Sequence, residues 1–248
     1  MKRESHPRKI TYILPNMFTA ASIFVGTFSM VSAINGDFIV ASWLIVLALV
    51  FDALDGRVAR LTNTCSRFGV EFDSLADIVS FGVAPALLIY MYIGSSYGRL
   101  GIVVSAMFIV LGAIRLARFN VTTVQIEPSV FIGVPIPTAA VFVSTMVLLF
   151  EDYTSMHEYK FLILIGAVII SLLMVSNIRY PSFKKVNFKT IHYMRLFIGI
   201  LSIAALTVIY PKEGFALIFI CYILYGPIRA AVNLSNRYKL LKGTSKKK

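Results

Sequence analysis

Residues 38–60 read FIVASWLIVLALVFDALDGRVAR. From Phe38 to Phe51 there is no charge, and then Asp52 and Asp55 arrive on what reads as the same helix, followed by Arg57 and Arg60. A segment of this length and apolarity reads as a membrane-spanning helix, because about 20 residues cross the hydrocarbon core and a helix satisfies its backbone groups internally. The fold therefore turns on one question, which is why carboxylates are kept at the end of a span.

Outward from this stretch the pattern repeats. Residues 71–81, EFDSLADIVSF, place Asp73 and Asp77 directly before another apolar run. Eight spans are expected, over residues 13–34, 38–60, 71–93, 100–119, 129–150, 161–176, 193–210 and 215–233. Turn-forming breaks separate them at NGD (35–37), GSSYGR (94–99), EDYTSMHEYK (151–160) and YPKEG (210–214). Of the 248 residues 58% are hydrophobic and 15% charged, and the mean hydropathy is +0.80. That balance excludes an ordinary soluble domain. Continuous runs without short alternating strands exclude a β-barrel. The expected class is an all-α polytopic membrane protein, a single transmembrane domain over residues 1–248. Residues 1–12 form an N-terminal segment and 236–248 a basic tail. The first apolar run is too long for a signal-peptide core and is read as retained.

Charge orients the bundle. With eight spans, every one of the 24 basic residues except Arg99, Lys160 and Lys212 lies on one side, together with both termini. By the positive-inside rule that side is the cytoplasm, and the location is the cell (inner) membrane. The net charge of +12 is thus explained by topology and does not point to nucleic acid. The tail also favours anionic headgroups. Cys65 and Cys221 are too few and too distant for a disulfide framework, and His6, His157 and His192 form no cluster.

Asp52 and Asp55 are three residues apart and Asp73 and Asp77 four, so each pair shares a helix face. Two antiparallel helices joined by a short loop can pool these faces in one cavity open to the cytoplasm. Four partly desolvated carboxylates repel one another unless protons or cations intervene. An oxygen-only ligand set suits Mg²⁺ or Mn²⁺, and two such ions would balance four negative charges and clamp phosphoryl oxygens. Gly56 allows close approach to the backbone, Ala59 keeps the next turn small, and Arg60 offers a planar cation to a phosphate. Gly69 is expected in a tight turn into the third span. An ion-coupled transporter is the alternative class, but it calls for acids near the midplane of broken helices, and these acids lie at one face.

The spacing Asp52-x2-Asp55-Gly56-x2-Ala59-Arg60-x8-Gly69-x3-Asp73-x3-Asp77 resembles the signature of the CDP-alcohol phosphotransferase family, membrane enzymes with a six-helix core that displace CMP from a CDP-linked substrate with an alcohol. The resemblance implies that Asp52, Asp55, Asp73 and Asp77 hold two Mn²⁺ or Mg²⁺ ions and that Asp77 is also the catalytic base. It implies further that Asp52, Gly56, Ala59, Arg60 and Gly69 line the CDP site. GVEFDSLADIVSFGVAPA (69–86), RLARFN (115–120) and GVPIP (133–137) are similar to the phosphatidylserine synthase branch, whose substrates are CDP-diacylglycerol and L-serine and whose members are usually homodimers. Another alcohol acceptor, or an archaeal lipid donor, is the nearer alternative. Arg115 and Arg118 share a helix face near the cytoplasmic end of the fourth span. They either snorkel to headgroups or bind an anion, the serine carboxylate or a lipid phosphate. Pro135 and Pro137 are expected to kink the fifth span.

Overall fold

The computed structural model of the protein describes residues 13–62, 64, 66–122, 130–181, 199, 205 and 207–245. Helices α1 (Ile13–Ile34) and α2 (Phe38–Leu61) are joined by a turn whose Gly36 has a φ of 85°, a conformation that glycine adopts without strain. The two helices pack closely because their facing residues are small. Ser22, Gly26, Ser29 and Ala33 of α1 are buried, as are Ala41, Ser42 and Ala48 of α2. Ser29 donates to the Ala41 carbonyl at 2.8 Å and Ser22 to that of Ala48 at 3.3 Å. Small residues and hydroxyl bonds are what associate helices in lipid, where apolar burial between them adds little.

The third crossing is composite. α3 (Arg67–Asp77) runs into a π-helical turn, Ile78–Val83, and continues as α4 (Ala84–Tyr92). The π turn presses Ser80 onto α1, where its hydroxyl donates to the Ser22 carbonyl at 3.0 Å. A Cβ at Gly26 would stand 2.8 Å from Ser80 Oγ, so only glycine fits there. Helix α5 (Arg99–Thr122) follows a short 3₁₀ turn.

After α5 comes β1 (Val130–Ile132), paired antiparallel with β2 (Arg179–Pro181), so Phe131 faces Tyr180 in register. This two-stranded ladder of three residue pairs accompanies the helices. It also shortens the fifth expected span. α6 covers Ile136–Asp152, with Pro135 as its N-cap and Pro137 in its first turn. The prolines therefore start this helix and do not kink it, since the first turn has no intrahelical use for their missing N–H. α7 (Phe161–Val175) and the C-terminal helix α8 (Pro211–Ser245) complete the described elements.

Among the described residues five helices are long and apolar enough to cross a membrane: Ile13–Ile34, Phe38–Leu61, Arg67–Tyr92, Arg99–Val121 and Pro211–Val232, with Phe161–Val175 a shorter apolar one. This is a helical polytopic membrane protein. Twelve of the eighteen residues of the expected span over 193–210 fall outside the described residues, as do residues 1–12 and Cys65. Cys221 is free and exposed. At the end opposite the aspartates, Lys160 and Lys212 pair with Glu151 at 3.6 Å and Asp152 at 2.6 Å. Lys160 also lies over the Tyr92 ring, and Tyr153 donates to Glu213 at 2.7 Å. Together these contacts hold the ends of α4, α6, α7 and α8 in place.

Candidate active site

Three of the four aspartates converge. One carboxylate oxygen from each of Asp52, Asp55 and Asp73 lies within 4.8 Å of the other two. Asp77, one turn beyond Asp73, lies near enough to Asp52 and Asp73 for their carboxylates to repel one another. Asp55 is buried, and the outer three are half-buried. Like charges gathered this closely away from bulk water repel strongly. Asp73 and Asp77 each keep one buried oxygen without a hydrogen-bond partner. An all-oxygen cluster with unused acceptors fits a hard divalent cation, and these carboxylates are close enough to hold one.

The convergence is not made by α2 and α3 alone. α1 packs against both and supplies a wall that the spacing of the aspartates does not disclose. Thr19 donates to Asp55 Oδ2 at 2.8 Å across 36 residues of sequence. Pro15, Asn16 and Thr19 of α1 face Asp55, Ala59, Gly69, Val70 and Asp73 across an open cleft. The sequence signal for Thr19 is faint, a hydroxyl in an apolar run, and such a residue more often bonds its own helix. Thr19 does lie 3.3 Å from the Pro15 carbonyl as well.

Gly69 requires a correction. It does not form a turn; it sits in the first turn of α3 and donates its N–H to the N-cap Ser66 at 2.9 Å. A Cβ there would come within 3.2 Å of Ser66 Oγ and 3.4 Å of Asn16 Oδ1, so glycine keeps α1 and the cleft close. Gly56 and Ala59 lie on the α2 side, where the Arg60 guanidinium folds back to 3.5 Å from where a Gly56 Cβ would be. Arg60 itself is exposed.

The two arginines of α5 separate. Arg118 donates to the carbonyls of Val175 (3.0 Å), Ser176 (3.1 Å) and Ile132 (3.3 Å) and to Asn177 Oδ1 (3.2 Å), clamping α5 to the end of α7 and to β1. Gly133, with φ 74°, makes room for this clamp, since a Cβ there would meet the Met174 carbonyl. Arg115 is 5% exposed, lies over the Phe119 ring at 5.4 Å, and has its charge beside Asp77. Its Nε makes no hydrogen bond among the described residues. Asn120 donates to Ser74 at 2.9 Å, tying the end of α5 to α3 between the two aspartates.

A family profile described as CDP-alcohol phosphatidyltransferase matches residues 12–176, the stretch that contains every residue of this cluster. The chain belongs to the CDP-alcohol phosphatidyltransferase family. It is 50% identical over 219 residues to a CDP-diacylglycerol–serine O-phosphatidyltransferase of Helicobacter pylori strain J99, covering 88% of this chain and 91% of the relative. A protein of the same name from Methanocaldococcus jannaschii is 38% identical over 75% of this chain and 82% of its own. An archaetidylserine synthase of Methanothermobacter thermautotrophicus is 38% identical over 70% of this chain and 72% of its own. The family stretch ends before β2 and α8.

Proposed function

We propose that this family member transfers the phosphatidyl group of CDP-diacylglycerol to the hydroxyl of L-serine, releasing CMP. The observation that supports this most is the 50% identity, over nearly the whole chain, to a relative named for that reaction. Serine recurs in the names of the bacterial and archaeal relatives while the lipid differs, so the acceptor is the better supported half of the reading. The bacterial relative's higher identity favours diacylglycerol over an archaeal lipid as donor.

Asp52, Asp55 and Asp73, with Asp77 at the edge, would hold two Mg²⁺ or Mn²⁺ ions. Bound there, the ions would offset pyrophosphate charge and stabilise departing CMP. The cleft between α1, α2 and α3 would receive the CDP group, with Gly56 and Ala59 admitting it to the α2 backbone, Gly69 keeping the α3 side open, and Arg60 pairing with phosphate. The serine oxygen would attack the phosphorus that bears diacylglycerol. A P–O bond to serine forms, the pyrophosphate bond to CMP breaks, and Asp77 takes the hydroxyl proton. A carboxylate is a weak base toward an alcohol, so proton transfer accompanies attack and does not precede it. Arg115, buried beside Asp77, would receive the serine carboxylate, a fork-shaped donor matched to a fork-shaped acceptor. Arg118 would act by fixing α5. The aspartate face would be cytoplasmic, at the inner membrane, with both termini on that side, and the enzyme would be a homodimer, as family resemblance implies.

The test is purified protein in detergent with CDP-diacylglycerol, Mn²⁺ and a panel of labelled alcohols. CMP release that rises with serine and yields labelled phosphatidylserine is expected. Release that responds to glycerol 3-phosphate or inositol phosphate and not to serine would overturn the assignment.

A further inference from the structure

One helical turn beneath the aspartates, three chain segments meet at a pair of hydroxyls. Ser22 of α1 follows Thr19 by three residues, Ala48 of α2 precedes Asp52 by four, and Ser80 of the π turn follows Asp77 by three. The Ser22 hydroxyl lies 3.3 Å from both the Ala48 carbonyl and Ser80 Oγ, either of which accepts its proton. Ser80 Oγ donates to the Ser22 carbonyl at 3.0 Å. Both serines are buried, so water does not compete for these bonds. Inside α2 the Ala48 carbonyl also receives the Asp52 N–H, four residues on, so the Ser22 hydroxyl reaches the backbone that carries one of the carboxylates. Gly26, one turn further along α1, admits the π turn, since a Cβ there would stand 3.0 Å from Ser80 Cα. Ser29 makes the same kind of bond between α1 and α2, to the Ala41 carbonyl at 2.8 Å. Ala41, however, lies eleven residues from Asp52, about 16 Å along the helix at about 1.5 Å per residue. Position, not chemistry, sets the Ser22–Ser80 pair apart.

We infer that Ser22 and Ser80 are positioning residues for the reaction centre. Their shared hydrogen bonds set the depth and rotation at which α1, α2 and the π turn below α3 present the aspartates to a divalent cation. This rests on the reading of the carboxylates as a cation site. It assigns the geometry of that site to two hydroxyls that touch neither ion nor substrate.

The experiment titrates Mn²⁺ alone into the purified full-length protein in detergent, follows the ion's magnetic resonance signal, and reads thermal unfolding on the same samples. Ser22→Ala and Ser80→Ala should each weaken Mn²⁺ binding about three- to tenfold, the factor carried by one hydrogen bond between neutral groups. The double variant should be little worse than either single one, because the two hydroxyls serve one junction. Ser22→Cys keeps the bulk and donates more weakly, and should fall between Ser22→Ala and wild type. Ser29→Ala supplies the contrast. It removes an equivalent bond between the same two helices, so its Tm should fall while its Mn²⁺ affinity stays that of wild type. Mn²⁺ binding as tight as wild type in both Ser22→Ala and Ser80→Ala, whatever their Tm, would overturn the inference. So would a loss of Mn²⁺ affinity in Ser29→Ala equal to that in Ser22→Ala, because the bonds would then act only through general stability. A wild-type protein that binds no Mn²⁺ would refute the cation reading itself, a distinguishable outcome.

Discussion

Thr19 offers the sharpest test of how the cluster is held. Thr19→Val removes one oxygen, keeps side-chain volume and β-branching, and so leaves the packing of α1 nearly intact. What is lost is the 2.8 Å bond to Asp55 Oδ2. The longer contact to the Pro15 carbonyl, at 3.3 Å, is dispensable, because that carbonyl precedes Asn16 in the first turn of α1 and is available to the i+4 backbone amide. A hydrogen bond to a charged partner is worth about 1.5–3 kcal/mol, and Asp55 is only 6% exposed, so solvent cannot easily replace the donor. Hydrogen bonds that orient a ligating carboxylate typically change metal affinity by about 10- to 100-fold, which agrees in size with the energy of one such bond. Titrating Mn²⁺ into the purified variant, followed by the ion's magnetic resonance signal and in parallel by CMP release, should show both curves displaced to higher Mn²⁺ by about that factor. Thr19→Ser should restore most of the loss. If Thr19→Val binds Mn²⁺ as tightly as wild type, the bond does not orient a ligand, and the placement of α1 as a wall of the site is wrong.

Asp52→Asn and Asp73→Asn should each abolish CMP release even at saturating Mn²⁺ while the protein still inserts and purifies as wild type; near-normal rates in either would exclude the carboxylate cluster as the reaction centre. Chelation of divalent ions should stop turnover reversibly, with recovery on adding Mn²⁺ or Mg²⁺ and none on adding Na⁺. Gly26→Ala should destabilise the protein by about 1–3 kcal/mol through overpacking, because the new methyl lies 2.8 Å from Ser80 Oγ and 3.1 Å from its Cβ; thermal unfolding in detergent reads this, and an unchanged Tm would contradict the α1 packing. Arg118→Lys should lower Tm without altering the serine KM, since one ammonium cannot reach three carbonyls and Asn177 as the guanidinium does; a raised serine KM at constant Tm would return Arg118 to the binding site.

Membrane class, the positions of the first four crossings and the acidic quartet were legible because they depend on local quantities. Hydropathy over about 20 residues marks a span, and spacings of three and four put Asp52 with Asp55 and Asp73 with Asp77 on single faces. GVPIP is ambiguous for an equally local reason. Two prolines within an apolar run look the same whether they bend a helix or begin one, and only the β1–β2 pairing, across some 50 residues of chain, places Pro135 at the N-cap. A glycine in sequence signals a turn, whereas at Gly69 it is the Ser66 hydroxyl capping α3 that leaves little room for a side chain.

The one-dimensional pattern of apolarity and charge is sufficient to put this chain in a bilayer and to bring carboxylates to one side of it, since lipid rewards or punishes each helix individually. Which partners those groups meet is a matter of helix-on-helix packing. Thr19 on Asp55, Arg115 beside Asp77 while Arg118 clamps backbone, and Ser80 on the Ser22 carbonyl all join residues far apart in sequence. Such pairings are set by which surfaces interlock in three dimensions, and neighbouring letters in the chain do not contain that information.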